Sequence, residues 1–369
     1  MMRVSSTDLQ KEAASDDFGA ILTELRAFIP RALIDGPGWE RLLDRVGELP
    51  DAEVPFRCGF EFRLDETAPA TDFIVALWPS GALTERYIRQ GEAATPGSSA
   101  AALARYLVRH GRSESSLTSV TVLEYDVATI QPGQRPAPCI FLRLRRTRRP
   151  DGAVQYPCTP RVLTATLAEA VGWAEDTGEQ DEVERVFRTL PAGGEVVHMG
   201  AFPDRAPRAI RLAIRGIEAA DLPALLEQLG WRGSIRTVTA VLTDLRDRLP
   251  RFLLALDVAA QGLSPRLGLE MYLEGDRDRE FDAWLTTGRH DWRPVVERLA
   301  AQGWCLPEKA QGLLAWCALD KIYDREGVFL VHKGINHVKL TIEDSGVHAK
   351  AYAGLGFAPL QPSTQGPSP

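Results

Sequence analysis

The sequence predicts an α+β fold: about ten antiparallel strands in five helix-flanked hairpins, forming either a closed barrel ringed by helices or two open sheets. Three observations carry this prediction. Segments of period two come in close pairs, and a strand pair without a helix between its members is antiparallel. Stretches of helical period separate one pair from the next. The helices end at glycines spaced at near-regular intervals, which marks a weak internal repeat.

Taken in order, residues 1–16 are polar and expected to fray, so the folded domain is placed at 17–358. The first strand pair is 57–64 (RCGFEFRL) and 72–78 (DFIVALW). The amphipathic SSAAALARYLVRHG then ends at Gly111, and strands 119–127 and 139–146 follow. RVLTATLAEAVGW ends at Gly172 before strands 196–202 and 208–215; ADLPALLEQLGW ends at Gly230. Segment 237–245 (TVTAVLTDL) reads equally as helix or strand before the pair 251–258 and 266–273. WRPVVERLAAQGW ends at Gly303, and the apolar helix GLLAWCAL, with Cys317 in its core face, leads to strands 335–342 and 349–357. Each terminal glycine suits the left-handed residue that closes a helix, and Trp173, Trp231 and Trp304 follow three of them. The tail at 359–369, rich in Pro, Ser and Gly, has nothing to bury and is expected to be disordered.

Composition narrows the function. The chain has 369 residues, 44% of them apolar, with 43 Lys and Arg against 50 Asp and Glu, a net charge of −7. That balance excludes a surface that coats nucleic acid. No apolar run approaches the roughly 20 residues that span a bilayer, and the N-terminal residues show no apolar signal core. Five scattered cysteines form no CxxC pair, so a reduced cytoplasmic protein is expected. GxGxxG, GxxxxGK[ST], HExxH and GxSxG are all absent.

The strand faces hold the chemistry. One face is aliphatic: Ile140, Leu142 and Leu144; Ile210, Leu212 and Ile214; Leu267, Leu269 and Met271; Val338, Leu340 and Ile342. The other carries Glu61 and Arg63, Glu124, Arg143 and Arg145, Arg211 and Arg215, Glu270 and Tyr272, His337 and Lys339, Lys350 and Tyr352. In two open sheets, divided near residue 190, this second face meets water and implies no function. In a closed barrel the aliphatic face meets the helices, and the charged face lines the lumen. Arg143, Arg211, Arg215, Lys339 and Lys350 would then form an enclosed anion site.

The repeated hairpins, together with Lys350-Ala-Tyr352 on the last strand, Glu270-Met-Tyr272 on the eighth and Glu61 in GFEFR on the first, resemble the ABBA-type aromatic prenyltransferases, the PT-barrel family. The resemblance is one of architecture, over roughly residues 50–357. It implies transfer of an allylic group from a diphosphate donor to an aromatic or peptide-borne acceptor. It implies that Arg143, Arg211, Arg215, Lys339 and Lys350 bind the diphosphate, and that Tyr272 and Tyr352 shield the allylic cation. Glu61 would orient the acceptor or take its proton, and Glu270 and His337 would bind the acceptor. Magnesium can accompany a diphosphate substrate and could be held by the acidic run 274–282, which reads better as a solvated loop leading into a helix N-terminus. His332, His337 and His348 cluster near the last hairpin, and the basic run 145–149 ends a strand. The competing expectation is a non-catalytic peptide-binding or accessory protein of a biosynthetic pathway.

Overall fold

The computed structural model describes residues 18–50, 56–112, 117–127, 137–149, 154–248, 251–273, 291–324 and 327–359. The expected frayed N-terminus, the acidic run 274–282 and the tail beyond Pro359 lie outside these residues.

Five units of two helices and a hairpin follow one another. Helices α1 (Phe18–Leu25) and α2 (Gly36–Val46) precede β1 (Phe56–Arg63) and β2 (Thr71–Leu77). Helices α3 (Ala82–Glu92) and α4 (Ser99–His110) precede β3 (Thr118–Tyr125) and β4 (Cys139–Leu144). A small ribbon, β5 (Thr147–Arg148) with β6 (Val154–Gln155), stands apart from the main sheet. Helices α5 (Pro160–Val171) and α6 (Thr177–Thr189) lead to β7 (Glu195–Ala201) and β8 (Ile210–Arg215). Helices α7 (Leu222–Gln228) and α8 (Ile235–Leu245) lead to β9 (Arg251–Ala259) and β10 (Gly262–Tyr272). Helices α9 (Arg293–Ala301) and α10 (Pro307–Trp316) lead to β11 (Ala318–Asp324), β12 (Gly327–Glu343) and β13 (Gly346–Pro359).

The main sheet closes. Its order is β10-β9-β8-β7-β4-β3-β2-β1-β13-β12-β11, with β10 also paired to β12. Ten of the strands therefore form a ring, and β11 lies outside it, in line below β10. At one seam Phe56 to Arg63 run antiparallel to Phe357 to Lys350; at the other, Leu267 to Met271 oppose Ile342 to Val338. Closure selects the barrel over the open sheets, because it leaves no ring strand with an unpaired edge.

The aliphatic face points outward as the periodicity requires. Leu212, Leu269, Met271 and Leu340 are fully buried under the helices. Each such side chain contributes about 1.5–3 kcal/mol by leaving water. Phe60 and Phe62 of β1 meet the Trp316 ring of α10 edge-on at 5.6 and 5.3 Å.

Three glycine helix ends take the left-handed conformation, and one does not. Gly172, Gly230 and Gly303 have φ of 76°, 65° and 74°. In each, the amide of the following tryptophan donates to the carbonyl five residues back, at 2.9 Å, the bond that closes a Schellman motif. Gly111 instead continues in right-handed geometry at φ −86°, and it is the one without a tryptophan after it. Segment 237–245 is helical because Ser234 Oγ accepts from the Thr237 amide and starts α8. The apolar helix before the last hairpin stops at Trp316; Cys317 is exposed rather than part of a core face.

Candidate functional site

The lumen is lined by the polar parity of the strands. At the β1–β13 seam Glu61 stands opposite Tyr352, with Lys350 two residues along the same face. The Lys350 ammonium donates to Glu61 Oε1 at 2.5 Å, and the Tyr352 hydroxyl donates to Glu61 Oε2. Glu61 is 1% exposed. Burial alone would raise its pKa, but the Lys350 charge and these two hydrogen bonds hold it down to about 2.

Further ion pairs repeat around the wall. Lys339 on β12 opposes Glu270 on β10, Nζ to Oε1 2.9 Å. Arg211 on β8 forks onto Asp257 on β9 at 2.7 and 2.8 Å. Arg63 lies 3.5 Å from Asp72 on β2. Burial pushes Lys339 down in pKa, while Glu270 is held at about 2 by Lys339 against its own burial. These groups share one field: Lys339 acts on Glu61, and Arg211 acts on Lys339.

Glu124 on β3 behaves differently. Burial first, then the like charges of Glu61 and Asp72, raise it to about 8 despite Lys350 and Arg205. At neutral pH the lumen thus holds an ionised carboxylate, Glu61, near a carboxyl that keeps its proton. Carboxyl groups split in this way suit opposite proton-transfer roles.

His337 lies between two tyrosines. Its ring stacks on Tyr352 at 4.3 Å and 12° and sits 4.8 Å from Tyr272. Nδ1 is 2.7 Å from Asn336 Oδ1, which requires Nδ1 to carry the proton. Nε2 is then an acceptor, buried and without a hydrogen-bond partner among the described residues. Burial lowers His337 to about 4, so the neutral form prevails at pH 7. Tyr272 also packs with Val197, Ala213 and Leu253, a small apolar cluster apart from the main core.

The expected site residues therefore divide. Glu61, Lys350, Tyr352, His337, Tyr272, Lys339, Glu270 and Arg211 occupy the central lumen. Arg215 and Arg143 sit lower, toward the end where β1 begins and β2, β4 and β8 finish. There Arg215 donates to Glu195 at the start of β7, and Arg143 pairs in register with His198. His332 and His348 do not join His337: His332 opposes Gly356, and His348 bonds Asp65 at 2.6 Å. Asp72, Asp257 and Glu195 were not singled out in the sequence, although Asp72 and Asp257 fall on the lumen parity of their strands. Alternation placed them there; only register shows which cation each meets.

Among the described residues, Glu124, Asp126 and Cys139 bring ligand atoms within 4.8 Å of one another. They do not fit a metal ion. The Arg205 guanidinium already binds Asp126 at 2.6 Å, Glu124 is raised, and burial pushes the Cys139 thiol up. No described helix is long and apolar enough to cross a membrane.

No protein-family model matches the chain, and no curated protein does. Among solved structures it is similar to AnaPT from Neosartorya fischeri, with 11% identity and a TM-score of 0.39, over 81% of this chain and 78% of that one.

Proposed function

We propose that the chain is a prenyltransferase-like enzyme that moves an allylic group from a diphosphate donor to an aromatic or peptide-borne acceptor inside the barrel. The observation that carries this reading is Glu61, ionised and buried between Lys350 and Tyr352, beside a stack of aromatic rings.

In this reaction the allylic carbon–oxygen bond breaks, and its electron pair leaves with pyrophosphate. Lys350, Lys339, Arg211, Arg215 and Arg143 stabilise the departing charge, with no proton transfer required. The donor must exchange with the carboxylates that hold these cations, so binding is a replacement of partners. Tyr272 and Tyr352 offer ring faces to the allylic cation. The acceptor ring attacks through carbon, and its proton passes to Glu61 or to Nε2 of His337, with Glu270 orienting the acceptor. Magnesium would accompany the diphosphate rather than reside on the protein.

The second reading, a non-catalytic peptide-binding protein, draws on the same ion pairs, since Lys339, Lys350 and Arg211 already have carboxylate partners. Incubation with dimethylallyl or geranyl diphosphate and indole or a tryptophan peptide distinguishes the two. The enzyme gives a product heavier by one prenyl unit, lost in Glu61→Gln. Donor at ten times its Kd adds about 1.4 kcal/mol of stability. No thermal shift and no product with either donor would discard the enzyme.

A further inference from the structure

His348 stands at the upper rim of the barrel, where β1 ends and β12 turns into β13. The β1–β13 seam runs on past Arg63 there: the Leu64 amide donates to the Ala349 carbonyl at 2.9 Å, which brings Asp65 alongside His348. His348 Nδ1 lies 2.6 Å from Asp65 Oδ2, and a carboxylate partner fixes the imidazole proton on Nδ1. Nε2 is then the acceptor, and it lies 2.9 Å from the Ser345 hydroxyl in the hairpin turn. Carboxylate, imidazole and hydroxyl thus follow one another in the order that activates a serine nucleophile.

The surroundings suit that order. Ser345 is exposed, while His348 and Asp65 are partly buried behind it. Glu343 and Gly346 are the last registered pair of β12 and β13, so a short turn between paired strands carries the hydroxyl. Glu343 Oε1 lies 3.2 Å from Ser345 Oγ and 3.3 Å from His348 Nε2. It competes with a neutral imidazole for the hydroxyl proton, and it steadies the imidazolium once Nε2 has taken that proton. Its own charge would oppose an oxyanion nearby, and Arg266, 3.8 Å from Oε2, offsets it.

We propose that Ser345, His348 and Asp65 form an acyl-transfer site that hydrolyses small carboxylic esters at the barrel rim. Ser345 Oγ attacks the ester carbonyl carbon and bonds to it as its proton passes to His348 Nε2. That proton goes to the alcohol oxygen as the ester carbon–oxygen bond breaks, which leaves an acyl-serine. Water then attacks the acyl carbon and gives a proton to Nε2; the acid departs as that proton returns to Ser345 Oγ. Asp65 is a positioning residue, which holds the imidazole in the required tautomer and orientation. The site is independent of whether the lumen transfers a prenyl group.

A fluorophosphonate probe, from which a serine oxygen displaces fluoride, tests the proposal on the full chain, with p-nitrophenyl acetate as the ester. The label is expected on tryptic peptide 340–350, where Ser345 is the only serine. Ser345→Ala should lose that label and hydrolyse the ester no faster than buffer, at an unchanged melting temperature. His348→Gln should slow labelling about a hundredfold. Asp65→Asn should slow it about tenfold and lower kcat for the ester with KM unchanged, and Asp65→Glu should restore most of the loss. No label on the native chain, or a label on another peptide, would overturn the proposal. So would Ser345→Ala hydrolysing the ester at the native rate, since an imidazole alone would then suffice. Ser345 is exposed, so its variant decides the matter even where His348→Gln fails to fold. A failed prenyl-transfer assay leaves the labelling untouched.

Discussion

At the scale of single residues, the lumen's carboxyl groups titrate in opposite directions, and stability should show both. Glu124 is held at about 8 against an ordinary 4.5. A raised folded pKa means that its stabilising contribution is complete below 4.5 and lost as the pH climbs through 8. Glu124→Gln mimics the protonated form, so it should match the native chain near pH 4 and melt several degrees higher at pH 8–9. Parallel melting curves across that range would contradict the buried, like-charged setting. Glu61 has the reverse sign: held at about 2, it contributes stability above 4.5 that is lost as the pH falls toward 2. Removing only its partner exposes the cost of an unmatched buried charge. Lys350→Met should destabilise by about 3 kcal/mol, and the double variant Glu61→Gln/Lys350→Met by clearly less, measured by urea denaturation. Lumen residues were legible in the sequence as a face, because parity alone assigns Glu61, Lys339 and Lys350 to one side. Their pairing was not, because Asp257 meets Arg211 only through a register that two separate hairpins bring together.

At the scale of elements, the second and third repeats each contain two helices where the sequence showed one, and the first contains two where it showed none. Helix α6 (TGEQDEVERVFRT) is so polar that its buried Val183 and Val186 leave no visible stripe. Helix α3 carries Gly91 in its last turn, where an added Cβ would lie 2.4 Å from the Ala100 carbonyl oxygen of α4; close packing sets that residue, and propensity argues against it. Strand β11 escaped because the run ending at Trp316 stays apolar through the break. The glycine ends were legible because their conformation is local. At Gly230 and Gly303 an added Cβ meets nothing within 4 Å, so the cost of alanine is backbone strain alone. Gly230→Ala and Gly303→Ala should each lose about 1–2 kcal/mol, and Gly230→Asn less. Gly111→Ala tests a different cause: its φ is ordinary, but the new Cβ would sit 2.8 Å from the Leu107 carbonyl oxygen. If all three alanine variants unfold like the native chain in a denaturant titration, the assigned helix ends are wrong.

At the scale of the whole molecule, ring closure changes which backbone groups are protected. In two open sheets divided near residue 190, β1 and β10 would each have a face of unpaired amides. In the ring, β1 pairs with β13 over eight registered positions and β10 with β12 over five. Their amides should therefore exchange with solvent as slowly as those of β8 and β9, which lie between partners in either arrangement. Strand β11 supplies the internal contrast. Among the described residues it pairs with the lower half of β12 alone, and it lies outside the ring. Leu319 near its start is 58% exposed. Hydrogen exchange followed by mass spectrometry should rank β11 fastest among the strands of the main sheet and show no edge-like exchange at β1 or β10. Rapid exchange of peptides covering both 56–63 and 267–271 would mean that the seams open in solution. The lumen would then be wet, and the ion pairs that hold Glu61 and Glu270 ionised would lose the burial that gives them their strength.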